Sequence, residues 1–158
     1  CSIWDCEIYE RDFKNQFYVY TDSDVELVDD CPDNFLEFML YKLWKNRDID
    51  KVGLSIIIDD LPDSYNRKNE VIKHELQFWN KLFDKDMYDA PIDTTFALYR
   101  KNKLGPAGYI KSVRMKPPFS IKHLPWYDDT ANQTKENLYY IENSKTRTHW
   151  TDIVKTNK

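Results

Sequence analysis

Phe17-Tyr18-Val19-Tyr20-Thr21-Asp22-Ser23-Asp24 sets four strand-favouring residues in a row and then stops on hydroxyl and carboxylate side chains. Aromatic and β-branched residues suit a pleated, half-buried surface, so residues 17–20 read as a short buried strand. The polar run from Thr21 to Asp24 ends it. Asp22 and Asp24 lie two positions apart, so an extended chain projects both carboxylates to the same side. That pair suits a hard divalent cation, which takes oxygen ligands and keeps positions open for substrate phosphates. It suits a solvated acidic turn or an Asx turn as well, and spacing alone does not separate the two.

Outward from this strand, the chain alternates between the two periodicities. Pro32 stands where a helix tolerates proline, in the first turn, behind Asp29 and Asp30 as caps. Phe35, Leu36, Met39, Leu40 and Leu43 then repeat at helical spacing to about Lys45. The apolar run from Val52 to Ile58 reads as one strand covered on both faces. Asp59, Asp60 and Pro62 close it. A second helix is expected from about Asn69 to Phe83, marked by Val71, Ile72, Glu75, Leu76, Trp79, Leu82 and Phe83, all apolar but Glu75. Thr95 to Tyr99 reads as a strand, Ser112 to Met115 as a weaker one broken by Lys116-Pro117-Pro118, and Leu138 to Ile141 as one more short element. Strands alternating with helices predict an α/β layer architecture. Repeats, low-complexity tracts and linkers are missing, so residues 1–158 are expected to form a single domain.

Composition narrows the chemistry. The 158 residues include 3 glycines, Gly53, Gly105 and Gly108, against a usual share of about 7%. Gly105 and Gly108 satisfy neither a Walker A loop nor a dinucleotide fingerprint, so phosphate-cradling glycine loops are excluded. Acidic residues outnumber basic ones, 27 to 23, and no dense basic run offers a nucleic-acid footprint. No stretch approaches the ~20 apolar residues of a membrane span. The mean hydropathy of −0.74 is that of a polar chain, but an aromatic content of 15% is far above that of disordered ones. Cys1, Cys6 and Cys31 form an odd set without a CxxC pair, which points to a reducing, cytoplasmic compartment. His74-Glu75 begins like the zinc-binding HExxH motif, yet Phe78 stands in place of its second histidine.

Two further residues carry chemistry of their own. Asp93 falls just before the strand at residues 95–99, where a carboxylate would be either a general base at a sheet edge or a turn residue bonded to the Thr94 or Thr95 backbone. His123, in Lys122-His123-Leu124-Pro125-Trp126-Tyr127, precedes a rigid aromatic turn. It is either a core histidine or a neutral nitrogen ligand beside Asp22 and Asp24, which would favour manganese over magnesium or calcium.

Four blocks in this order then carry a resemblance. They are Tyr18-Val19-Tyr20-Thr21-Asp22-Ser23-Asp24-Val25; Lys51-Val52-Gly53 with Ile58-Asp59-Asp60-Leu61-Pro62; Ile92-Asp93-Thr94-Thr95-Phe96-Ala97-Leu98-Tyr99-Arg100; and His123-Leu124-Pro125-Trp126-Tyr127. From about Phe17 to Tyr127 the chain resembles a group of GT-A-fold glycosyltransferases from bacteria and large viruses. The resemblance implies a GT-A-like mixed sheet flanked by helices, and transfer of a sugar from a nucleotide-sugar donor to a glycan or other hydroxyl acceptor. It implies Mn2+ or Mg2+ on the donor diphosphate, with Asp22 on ribose or metal, Asp24 on metal and His123 completing the shell. Asp93 would be the base of an inverting reaction. Lys111, Arg114 or Lys122 would neutralise phosphate or be exposed basic residues, Trp126 and Tyr127 would stack on a sugar ring or pack in the core, and Asp59 and Asp60 would line the acceptor side or form a turn before Pro62. Relatives of this fold place a nucleotide-binding half upstream of the DxD motif, whereas 21 residues precede Asp22 here. That half is expected to lie outside the chain or to be lost, leaving strand edges open. The rival expectation is a non-catalytic glycan-binding or interaction domain on the same scaffold, and a third is a metal-dependent phosphoryl-transfer enzyme using the same acids.

Overall fold

The structure, a computed structural model, describes residues 6–93, 95–103 and 110–143. Cys1, Thr94, Gly105 and Gly108, singled out above, lie outside them. The described chain is α/β, with two mixed sheets and helices. Its strands are β1 (Tyr18–Thr21), β2 (Val25–Leu27), β3 (Lys51–Gly53), β4 (Ser55–Ile56), β5 (Met87–Tyr88), β6 (Phe96–Tyr99), β7 (Ser112–Met115) and β8 (Ser120–His123). The α-helices are α1 (Phe35–Lys45), α2 (Lys68–Leu76) and α3 (Lys135–Asn143). A π-helical stretch, Tyr9–Phe13, precedes β1.

One sheet has five strands in the order β1-β6-β3-β7-β5, the other three in the order β2-β8-β4. Five successive connections cross between them, three after only a few residues: β1 to β2 through Asp22-Ser23-Asp24, β3 to β4 through Leu54, and β7 to β8 through Lys116–Phe119. The expected strand from Val52 to Ile58 is therefore two short strands in different sheets. Its apolar side chains serve a core that continues beneath both, so an unbroken hydrophobic run conceals a change of sheet. Gly53 is the last residue of β3, just before the crossing. A Cβ there would lie 2.5 Å from Ile92 Cδ1 and 2.7 Å from the Phe96 carbonyl oxygen.

Side-chain alternation gives the larger sheet two distinct faces. Val52, Leu98, Val113 and Met115 face the main core, where Met39 and Leu43 of α1 cover them, joined by Ile56, Ile121 and Trp126 from beneath the second sheet. Tyr18, Ala97 and Tyr99 face a smaller cluster with Tyr9 and Ile92. Tyr18 and Tyr99 stack at 4.9 Å, and Tyr9 meets Tyr18 edge-on.

The helices depart from the spacing in instructive ways. α1 starts at Phe35, after the turn in which the Phe35 amide bonds the Pro32 carbonyl, so Pro32 precedes the helix and Asn34, rather than Asp29 or Asp30, stands at its N-terminus. Its Leu36 and Leu40 are exposed; the buried stripe is Met39, Lys42 and Leu43. Lys42 reaches Asp84 at 3.0 Å and Asp86 at 2.6 Å, tying α1 to the turn before β5. α2 gives way at Gln77 to a single 3-10 turn ending at Trp79, so Leu82 and Phe83 fall outside the helix expected to reach them. Leu82 instead pairs across to Tyr88. β5 and β8 were not legible, being two residues long in one case and polar in the other. No helix among the described residues is long and apolar enough to cross a membrane.

Candidate functional site

Asp22-Ser23-Asp24 is the crossing from one sheet to the other, and each aspartate is held by a different ladder. β1 pairs antiparallel with β6, Thr21 opposite Phe96. The Asp22 amide continues that pairing with a 3.0 Å bond to the Thr95 carbonyl, which also accepts the Thr21 hydroxyl at 2.6 Å. β2 pairs antiparallel with β8, Val25 opposite His123, and the Leu124 amide bonds the Asp24 carbonyl at 2.9 Å. The motif therefore stands where the start of β6 and the end of β8 meet. Sequence spacing placed Asp22 with Asp24, Asp93 and His123 on three separate stretches; one ladder brings Asp24 beside His123, and the other brings Asp22 to the start of β6.

His123 Nε2 lies 3.8 Å from Asp24 Oδ2. The imidazole is tilted against Trp126, with ring centres 4.7 Å apart, and only 15% of it is exposed. Burial pushes its pKa down, against the opposing pull of Asp24, Asp22 and Glu75, so the ring is held neutral. Its Nδ1 is buried without a hydrogen-bond partner among the described residues. Nε2, the ring nitrogen that faces the half-exposed Asp24 carboxylate, makes with it a donor pair chemically suited to a cation, Nδ1 then carrying the ring proton. At 3.8 Å, Nε2 and Oδ2 are close enough for one ion with ligand bonds of about 2.0–2.2 Å to reach both. Among the described residues no three of His, Cys, Asp and Glu gather to hold a metal ion by themselves. The residues thus fit a cation that takes two protein ligands and its remaining oxygens from elsewhere.

Asp93 is exposed just upstream of β6. The antiparallel register brings it to the same sheet end as Asp22, and the two carboxylates act together on Tyr99. Tyr99 has its pKa raised first by burial and then by Tyr20, Asp93 and Asp22. The expected acceptor residues also cluster in part. The Tyr127 hydroxyl donates to the Asp60 carboxylate, Lys122 Nζ lies 3.2 Å from Asp60, and the same ammonium sits 5.3 Å from the Tyr127 ring centre. Asp59, exposed beside them, adds its charge to the environment of Tyr127. Burial and the Asp60 bond hold the Tyr127 phenol protonated at neutral pH.

Three residues stand elsewhere than expected. Trp126 is 2% exposed and packs in the core; no ring face is open to a sugar. Lys111 lies at the other end of the larger sheet from Asp22, paired with Asp48. Arg114 is buried with Glu75, at 2.6 Å, its guanidinium 4.2 Å from the Phe78 ring centre. Alternation along β7 sets its direction: Val113 and Met115 face the main core, so Arg114 between them points to the other face. Glu75, the one acid on an apolar helical repeat, was the visible sign of such a partner.

Sequence reasoning also passed over Lys51, whose side chain is wholly buried. Its Nζ donates to the Ile92 carbonyl at 2.5 Å and contacts the Tyr99 hydroxyl at 3.3 Å. Burial lowers its pKa to about 8, with Asp93 opposing and Arg114 reinforcing. A lysine opening an otherwise apolar strand was the available signal. No protein-family model, no curated protein and no solved structure matches the chain.

Proposed function

We propose that the chain is the metal-binding and acceptor portion of a GT-A-like glycosyltransferase that moves a sugar from a nucleotide-sugar donor to a hydroxyl acceptor. The observation that carries the reading is the meeting of Asp22-Ser23-Asp24 with His123 at the junction of two sheets. Asp24 and His123 would hold Mn2+ or Mg2+, the imidazole favouring manganese, and Asp22 would serve the ribose or the metal. When bound, such a cation supplies Lewis-acid stabilisation of a departing nucleoside diphosphate. Asp93, exposed at the same sheet end, would accept the proton of the acceptor hydroxyl in an inverting transfer. Lys122, with Asp60 and Tyr127, offers the acceptor side a cation, a carboxylate and a ring edge.

The alternative, a glycan-binding or interaction domain without catalysis, draws on one observation: the protein ligands to a cation number two, and Tyr127 with Asp60 forms a surface suited to sugar hydroxyls. Thermal-shift titration with UDP- and GDP-sugars, with and without Mn2+, separates the two. The transferase reading expects stabilisation by at least one donor that requires Mn2+ and disappears in Asp24→Asn. A folded protein that no donor stabilises under either condition supports the binding domain.

A further inference from the structure

We infer that Lys51, Ser112 and Arg114 are positioning residues that strap the Ala90–Ile92 backbone across the sheet and thereby set where Asp93 stands. Three successive carbonyls of that segment are bound by three side chains from one sheet face. The Ala90 carbonyl accepts the Ser112 hydroxyl at 3.2 Å, the Pro91 carbonyl accepts Arg114 Nε at 2.8 Å, and the Ile92 carbonyl accepts Lys51 Nζ at 2.5 Å. Register explains why the three point the same way. Lys51 stands opposite Ser112, and Gly53 opposite Arg114, so all alternate onto the face away from the main core.

The arrangement is unlike ordinary core packing. Lys51, Ser112 and Arg114 are 0%, 6% and 4% exposed, and polar groups are costly to bury unless each finds a partner. Apolar residues would cover the same area without that cost. What polar residues add is a fixed backbone path: an irregular segment has no ladder of its own, and here side chains take the ladder's place. Ile92 is pinned from its other side as well, since its side chain fills the space above Gly53. The residue after this threefold anchor is Asp93. Glu75 holds Arg114 in turn, so the strap is backed by α2.

The inference rests on the reading of Asp93 as a group of the reaction site, and the test keeps the two apart. Lys51→Met and Ser112→Ala are compared with the unaltered chain. Amide hydrogen exchange is read at Ile92, Asp93, Thr95 and Phe96, and against them at Val52, Leu98 and Val113. The expected result is exchange at least about tenfold faster in the first group with the second unchanged. Unchanged exchange, or equal acceleration in both groups, overturns the strap. In parallel, kcat and donor KM are measured for Mn2+-dependent cleavage of UDP- and GDP-sugars. Both variants should lose about tenfold or more in kcat with KM preserved, and Ser112→Thr, which keeps the hydroxyl, should restore it. Faster exchange with unaltered kcat overturns the positioning role. Should Lys51→Met fail to fold, the Ser112 variants decide. An unaltered chain that cleaves no donor defeats the transferase reading, while the exchange data still judge the strap.

Discussion

Arg114 and Glu75 face each other at 2.6 Å with 5% and 4% of their side chains exposed, and this makes them more consequential than any pair on the surface. Removing one member leaves the other charge buried without compensation. Arg114→Met should therefore destabilise the fold by about 3–5 kcal/mol, read as a lower urea midpoint. Pairing it with Glu75→Leu should recover much of that loss, since a buried ion pair is often replaceable by apolar groups. Lys51 makes a prediction with the opposite sign. Its ammonium loses its proton near pH 8 in the folded chain and near 10.5 when unfolded. Between those values the unfolded state binds more protons, so stability rises with pH across that window. With Lys51 charged below about pH 8, the fold is about 3 kcal/mol less stable than it is above pH 10.5, net of the ammonium's contacts. Urea denaturation at pH 7.5 and 10 should show wild type gaining stability relative to Lys51→Met at the higher pH. An unchanged difference would mean that Lys51 is neutral or hydrated at both.

Elements were legible wherever one periodicity held for long enough. β1, β6, β7 and the body of α1 lie within about a residue of where the residue pattern puts them, although β1, expected to be buried, buries Tyr18 and leaves Phe17 and Val19 exposed. The pattern misleads where a hydrophobic run serves more than one purpose. Val52 to Ile58 is apolar throughout since the core extends beneath both sheets, so nothing in its composition marks the crossing at Leu54. Leu36 and Leu40 fit a helical repeat but lie outside the face that α1 buries, where Met39 and Leu43 enter the core and Phe35 packs on Phe96 of β6. Gly53 is the one position in that run with a distinct backbone demand. Gly53→Ala would drive a methyl toward the Phe96 carbonyl and the Ile92 side chain, and it should cost about 1–3 kcal/mol in urea denaturation. The displacement would fall on the segment that carries Asp93, so exchange at Ile92 and Asp93 should rise with it. A stability within about 0.5 kcal/mol of wild type would show that β3 and β6 separate easily there.

Across the whole molecule, the individual site residues were visible in the sequence while their grouping was not. Asp22, Asp24, Asp93 and His123 stand out as residue types at strand ends; that Asp24 meets His123, and that Asp22 pairs at the end of β6 which Asp93 precedes, depends on which strands pair and in which sense. Lys111 and Arg114 looked equivalent to Lys122 from their place in the chain. Register separates them, sending one to the far end of the sheet, one inward against Glu75, and one to Asp60. The same dependence has a quantitative side at β1 and β6. These strands run in opposite directions, so the gap between Asp22 and Asp93 behaves like the opening of a caliper whose scale is the hydrogen-bond ladder. A slip of two residues, the smallest that keeps every side chain on its own face, would slide one jaw past the other by about 7 Å. Loops beyond the anchored Ala90–Ile92 segment can lengthen or shorten without touching that setting. An insertion between Tyr18 and Asp22, or between Asp93 and Tyr99, cannot.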